Sequence, residues 1–308
     1  VSILTSHELL LKFKEERQPW NPEKLFFTGV GEKDVYNITA PFEDDGELVI
    51  AGRVESRDSE NSEVYFFVER DGKWIPRENT KKYKLQDPFV TKINDELVFG
   101  GVEIFTHPEN PENLWWRTIF YRGKNINSLK QFAVGPNGMK DIRLVGLANG
   151  AIGVFTRPQG EKGGRGKIGF FKIDKLEDLT IEKIESAPLL AGQFIDEEWG
   201  GVNEAHLLSN GLIGVLGHIA NFDQQQNRHY YSMEFCLDPE TLEHTKLNII
   251  AERNNMREGE AKRPDLVDVL FSGGLVRNKD GTATLYTGVS DVEAQRITIC
   301  DPFLKYEK

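Results

Sequence analysis

Asn37-Ile-Thr-Ala-Pro-Phe-Glu-Asp44-Asp45-Gly46-Glu-Leu-Val-Ile-Ala-Gly-Arg53 decides how this chain is read. A polar residue opens the stretch, a short strand leads into an Asp-Asp-Gly turn, and an apolar strand returns to a charged end. Strand-forming residues between Gly, Asn and Asp turns mark a hairpin. The pattern recurs from Asp87 through Asn94-Asp95 to Glu103, and from Asp141 through Asn149-Gly150 to Arg157. It recurs again from Asn203 through Asn210-Gly211 to His218, and from Ser272 through Lys279-Asp280-Gly281 to Asp291. The first four starts stand 50, 54 and 62 residues apart. A repeat of that length, holding about four short strands, matches one blade of a β-propeller. The expectation is an all-β fold: one five-bladed β-propeller domain over residues 1–308, with blades from about 30 to 303. A β-sandwich would not space its hairpins periodically. Helical periodicity is confined to Thr5–Glu16, a short N-terminal helix. There Thr5-Ser6-His7-Glu8 reads as a capping box, and Leu9, Leu10 and Phe13 form an apolar face.

The 308 residues carry 38 Lys and Arg against 49 Asp and Glu, a formal net charge of −11. An acidic surface repels nucleic acid and anionic lipid, so neither is an expected partner, although a local basic pocket can still hold one small anion. Apolar residues at 39 % and aromatics at 10 % suffice for a core and exclude a disordered chain. The longest apolar run, Gly211–Ala220, contains His218 and is half of what a membrane helix requires. The amino terminus reaches Lys12 and Glu15 without a small-residue cleavage site, which reads as a cytoplasmic protein without a signal peptide. Cys236 and Cys300 each sit in alternating apolar segments and are expected as buried free thiols.

In a propeller blade the innermost strand and its neighbour are antiparallel, so the start of the first and the end of the second share a face. One mouth should then gather Asn37, Arg53, Glu55, Asp87, Glu103, Lys140, Asp141, Arg143, Arg157, Asn203, Glu204, His206, His218 and Asp291. Trp115-Trp116 and the glycine-rich stretch Gly160–Gly166 should rim it. Carboxylates, cations and amides in a concavity are the makings of a polar small-molecule site, and rim tryptophans suit the C–H face of a sugar. Any one of these residues is equally a strand-end turn former; their recurrence on one face is what makes the set a site. Within it, Gln86-Asp87-Pro88-Phe89 is the sharpest element. Proline stiffens the backbone beside Asp87 and fixes where the carboxylate points, as a general acid requires. Asp-Pro also starts ordinary turns. The spacings among His206, His218 and His229 match no usual metal-ligand pattern, and neither a metal nor a cofactor is expected.

These residues resemble a family. Asp87-Pro88 followed by Phe89-Val-Thr-Lys-Ile-Asn-Asp-Glu-Leu-Val98 is similar to the signature of glycoside hydrolase family 130, the five-bladed β-mannoside phosphorylases. The likeness continues in Lys140-Asp141, in Phe155-Thr-Arg157-Pro158 and in Leu216-Gly-His218. It closes with Gly274-Leu-Val276 and Leu285-Tyr-Thr-Gly-Val-Ser-Asp291. Gln86 and Phe89 replace the glutamate and arginine usual around that family's aspartate. The variant looks closer to glycosyltransferase family 108, the mannosyltransferase/phosphorylases of β-1,2-mannan metabolism.

The resemblance implies an inverting reaction in which Asp87 supplies the proton, relayed through a sugar hydroxyl, and inorganic phosphate is the co-substrate. Lys140, Arg157, His218, Arg117 and Arg143 would then hold phosphate. Asn37, Arg53, Glu103, Asp141, Asn203, Glu204, His206 and Asp291 would hold an oligosaccharide or sugar phosphate. His218 also fits a satisfied strand-end histidine. An inverting glycoside hydrolase on the same fold would need a second carboxylate to activate water, for which Glu103 and Glu204 are the candidates. A non-catalytic glycan-binding propeller would show five similar pockets, whereas the hairpin starts here differ (Asn, Asp, Asp, Asn, Ser).

Overall fold

Strands begin and end where the repeat puts its turns. The computed structural model describes residues 3–16 and 21–308. Helix α1 (Ser6–Glu15) comes first, its amino end closed by reciprocal bonds between Thr5 and Glu8. Strand β1 (Asn21–Lys24) is followed by β2 (Asp34–Tyr36), β3 (Phe42–Asp44), β4 (Glu47–Glu55), β5 (Glu63–Arg70) and β6 (Lys73–Pro76). A second group holds β7 (Gln86–Ile93), β8 (Glu96–Thr106), β9 (Leu114–Gly123) and β10 (Lys130–Val134). The third is β11 (Arg143–Gly146), β12 (Ile152–Thr156) and β13 (Gly169–Ile173), with the short helices α2 (Gly160–Gly163) and α3 (Ile181–Ser186) at its loops. The fourth is β14 (Trp199–Leu207), β15 (Ile213–Phe222), β16 (Arg228–Leu237) and β17 (Asn248–Ala251). The fifth is β18 (Asp268–Arg277), β19 (Thr282–Val289) and β20 (Glu293–Cys300), to which β1 returns as an antiparallel edge.

Within each group neighbouring strands are antiparallel hairpin partners; a short parallel contact of β16 with β18 joins the fourth group to the fifth. Apolar side chains collect between groups rather than inside one. Phe66 and Phe99 belong to a core shared by the first and second groups, and Phe120 and Val154 to one shared by the second and third. Phe170 and Phe235 link the third and fourth, with Leu9 and Phe13 of α1 added, and Leu216 and Leu285 link the fourth and fifth. The last core sets Ile50 and Phe67 of the first group against Tyr286 and Ala294 of the fifth, so the series closes on itself.

Both cysteines are free thiols, but only Cys236 is buried. The burial expected of Cys300 is corrected: it ends β20, where Ile297 and Ile299 face inward and Thr298 and Cys300 outward. Among the described residues no helix is long and apolar enough to cross a membrane.

Candidate active site

The hairpin registers carry strand starts and strand ends to one place. Tyr36 pairs with Arg53, Arg143 with Phe155, and Gly201 with His218, so Asn37, Asp141, Arg157 and His218 all emerge at the same edge. They share a cavity of about 250 Å³ with Arg53, Asp87, Lys140 and Asp291. Four of the eight have left-handed backbone: Asn37 (φ 46°), Asp87 (φ 47°), Asp141 (φ 58°) and Asp291 (φ 54°). Asn and Asp tolerate that region where bulkier residues do not. Pro88 lies in a β-bulge between Gln86 and Phe89, where its missing N–H costs the ladder nothing.

One end of the cavity is built around Asp87. Its Oδ1 accepts from Asn37 Nδ2 at 2.8 Å and from Arg53 Nη1 at 3.1 Å. Behind Arg53, the buried Glu55 accepts from Arg53 Nη2 at 2.6 Å and from the Tyr36 hydroxyl at 2.6 Å, and also from Ser62 and Lys262. Burial works against the Glu55 charge, but Arg53 and these donors hold its carboxyl below the usual range. Asn37 packs onto bare backbone, since a Cβ at Gly288 would stand 2.1 Å from Asn37 Oδ1. Burial, reinforced by the Asp87 charge, pushes the Asp291 carboxyl up to about 6 despite Arg53 and Lys262.

The opposite end is cationic. Arg157 is 3 % exposed; its Nε donates to the Gly200 carbonyl at 2.8 Å, and its Nη1 stands 3.4 Å from Asp141 without a hydrogen-bond partner. Lys140 lines the same wall with no hydrogen bond or ion pair to a described residue. Burial opposes the Asp141 charge, yet Arg157, His218, Lys140 and Arg143 lower its carboxyl overall. His218 is different: burial depresses it to about 3, so it is a neutral imidazole at any working pH. Its Nδ1 lies 2.8 Å from Asn203 Oδ1, which fixes the Nδ1–H tautomer and leaves Nε2 an acceptor. His218 can therefore take a hydrogen bond from a hydroxyl or a protonated phosphate oxygen but brings no charge. Gly201 keeps this end open, because a Cβ there would meet Arg157 at 2.8 Å and His218 at 3.0 Å.

Other expected site residues lie elsewhere. Strand β8 runs on past the cavity to Thr106 and carries Glu103 away, where it pairs with Arg117 at 2.6 Å. Arg143 is buried under Phe89 at 4.3 Å and donates to the Asn203 carbonyl at 2.8 Å, bracing the floor instead of lining it. Beyond the bulge at Asn203, Glu204 turns into a separate small cavity of about 130 Å³ and holds His206 at 2.5 Å. Asn203 and Glu55 do not line the cavity; Asn203 holds His218 and Glu55 holds Arg53 from behind. Trp115 stacks on His107 at 4.2 Å away from the cavity lining, while the Gly160–Gly166 stretch backs Arg157 through the Arg165 carbonyl.

The hairpin pattern also missed part of the wall: Glu60, Arg228, Tyr230, Arg263, Leu266, Val269 and Phe271. Tyr230 stacks on His218 with centroids 5.5 Å apart and accepts from Trp199 Nε1 at 3.0 Å. It and Arg228 come from a third strand, and Arg263 from a connecting loop, neither of which the hairpin repeat covers. Among the described residues no cluster of His, Cys, Asp and Glu is placed to hold a metal ion. A larger cavity of about 610 Å³, beside Leu4, Leu189 and Leu247, is mainly apolar and gathers no comparable set of facing charges.

Residues 12–305 match the family described as protein of unknown function (DUF1861). The chain belongs to that family. No curated protein matches. Among solved structures, this DUF1861 member is similar to a mannose phosphorylase from Leishmania mexicana in complex with phosphate ion, at 36 % identity and a TM-score of 0.90. That match covers 98 % of this chain and 95 % of the other. It is also similar to a GDP-Man-dependent mannosyltransferase from Leishmania mexicana, at 35 % identity and a TM-score of 0.89, over 99 % and 96 % of the two chains. A β-1,2-mannobiose phosphorylase from Listeria innocua shares the fold at 14 % identity, with a TM-score of 0.64 over 94 % of each chain.

Proposed function

We propose that this chain is an inverting β-mannoside phosphorylase or mannosyltransferase that works with phosphate or mannose 1-phosphate. Its five strand groups are the blades of a single five-bladed propeller, a reading supported by a core between each consecutive pair and by the closing core. One observation carries the functional reading: a single cavity has a carboxyl end, Asp87 and Asp291, facing a cationic end, Lys140 and Arg157. A sugar phosphate is polar in the same sense. Phosphate would sit against Lys140 and the unpartnered Arg157 Nη1, whose forked donors suit its oxygens. The sugar would lie between, with Asp87 delivering a proton by way of a sugar hydroxyl to the leaving oxygen. The C1–O bond to the leaving alcohol breaks as a phosphate oxygen bonds C1. Strong similarity to a mannose phosphorylase and to a mannosyltransferase supports mannose as the sugar.

The test is to incubate the protein with mannose 1-phosphate and mannose or short mannosides and to follow phosphate release. Asp87→Asn should lower kcat by about 10²–10⁴-fold, the usual worth of a positioned proton donor. Release that persists in Asp87→Asn removes the acid assignment. Rapid mannoside hydrolysis without phosphate makes the protein a hydrolase instead.

A further inference from the structure

Asp87 has one oxygen committed. Both Asn37 and Arg53 donate to Oδ1, so only Oδ2 is left to carry a proton to substrate and to regain it. Asp291 faces the same cavity and accepts no hydrogen bond from any described residue. It sits beside the Asn37–Asp87 pair, because Asn37 packs on the backbone of Gly288, near the end of β19, and Asp291 lies in the turn that follows that strand. Its position is held firmly. Ser290, also left-handed (φ 53°), donates its N–H to Val269 O at 2.9 Å and its hydroxyl to Val267 O at 2.9 Å, and its carbonyl accepts from Lys262 N at 3.0 Å. Val292 N–H closes onto the Val289 carbonyl at 3.1 Å, so Ser290 and Asp291 are the two left-handed central residues of a tight hairpin turn between β19 and β20.

We propose that Asp291 is a second proton-handling carboxyl, the reservoir from which Asp87 is re-protonated after each turnover. This rests on the phosphorylase reading of the site. Once Asp87 has given up its proton and the leaving alcohol has departed, Asp291 passes one proton through a sugar hydroxyl or a water to Asp87 Oδ2. Asp291, now a carboxylate, takes a proton from solvent at the mouth. No electron changes hands.

Six groups act on Asp291: Arg53 and Glu55 from β4, Asp87 from β7, Tyr36 from β2, and Lys262 and Arg263 from the loop before β18. A half-buried carboxyl with no donor and an acidic neighbour favours its neutral form, in keeping with titration near 6.

Phosphate release from mannose 1-phosphate and mannose runs the same relay in reverse, Asp87 taking the acceptor's proton and Asp291 draining it to solvent, and should be measured against pH for the wild type, Asp291→Asn and Asp291→Glu. Asp291→Asn should lose about 10²-fold or more in kcat, with a KM change of less than about threefold and loss of the ionisation near pH 6. Asp291→Glu should restore part of kcat. A raised KM with kcat and pH profile intact would overturn the proposal, leaving Asp291 a hydroxyl acceptor. If the wild type releases no phosphate, the phosphorylase reading fails by itself, and carboxyl ¹³C NMR then judges the pair. An aspartate signal titrating near pH 6 should vanish in Asp291→Asn and move to lower pH in Asp87→Asn. Finding no such signal would also overturn the proposal.

Discussion

At the scale of single residues, the cavity shifts two of its titratable groups in opposite directions. His218 is driven neutral, so the positive charge at its end belongs to Lys140 and Arg157, set against the Asp141 carboxylate. Asp291 is raised to about 6 from 3.8, so the folded chain holds that proton more tightly than the unfolded chain. By linkage, the stability it contributes is fully present below the unfolded value and is lost as pH rises through the folded one. Asn mimics the protonated form and cannot ionise. Asp291→Asn should therefore match the wild type in urea unfolding near about pH 4 and exceed it near about pH 8. An equal gap at both pH values would show that Asp291 does not titrate in that window. The Asn and Asp at strand starts were legible in the sequence because those side chains suit left-handed turns. Their protonation was not, because it depends on neighbours from other strand groups.

At the scale of elements, α1 shows how little of a short helix is local. Ten residues are too few to stand alone in water, capping box or not. What holds α1 is Leu9 and Phe13 in the core between the third and fourth groups, together with Ser6, whose N–H and hydroxyl donate to the buried Glu198 at 2.7 and 2.6 Å. Leu9→Ala should cost about 2–5 kcal/mol in denaturant unfolding, the range for an uncollapsed core cavity. It should leave the KM for phosphate unchanged, since no residue of α1 lines the site cavity. A large KM change would mean that the helix sets the geometry of the site. The five hairpins could be read from their turns, but their lengths could not. That β8 runs on to Thr106 and removes Glu103 from the cavity is decided by its pairing with β9.

At the scale of the whole molecule, the core between the first and fifth groups joins residues far apart in the chain. Ala294, 1 % exposed, lies in it beside Val35, Phe67 and Tyr286. Ala294→Arg would bury an unpaired charge at a cost of roughly 4 kcal/mol or more. Because each core is shared by neighbouring groups, it should lower a single transition seen alike by circular dichroism and tryptophan fluorescence. Two separated transitions would show that the strand groups fold independently. The hairpin repeat, its turn residues and its polar ends follow from the sequence alone, since strand alternation and turn chemistry act between residues close along the chain. Which ends meet was settled only in three dimensions. Arg143 sank beneath Phe89, Glu204 bent past a bulge into another cavity, and Tyr230 and Arg263 arrived from a third strand and a loop. Side-chain direction there depends on bulges, strand length and packing between groups, which no local pattern encodes.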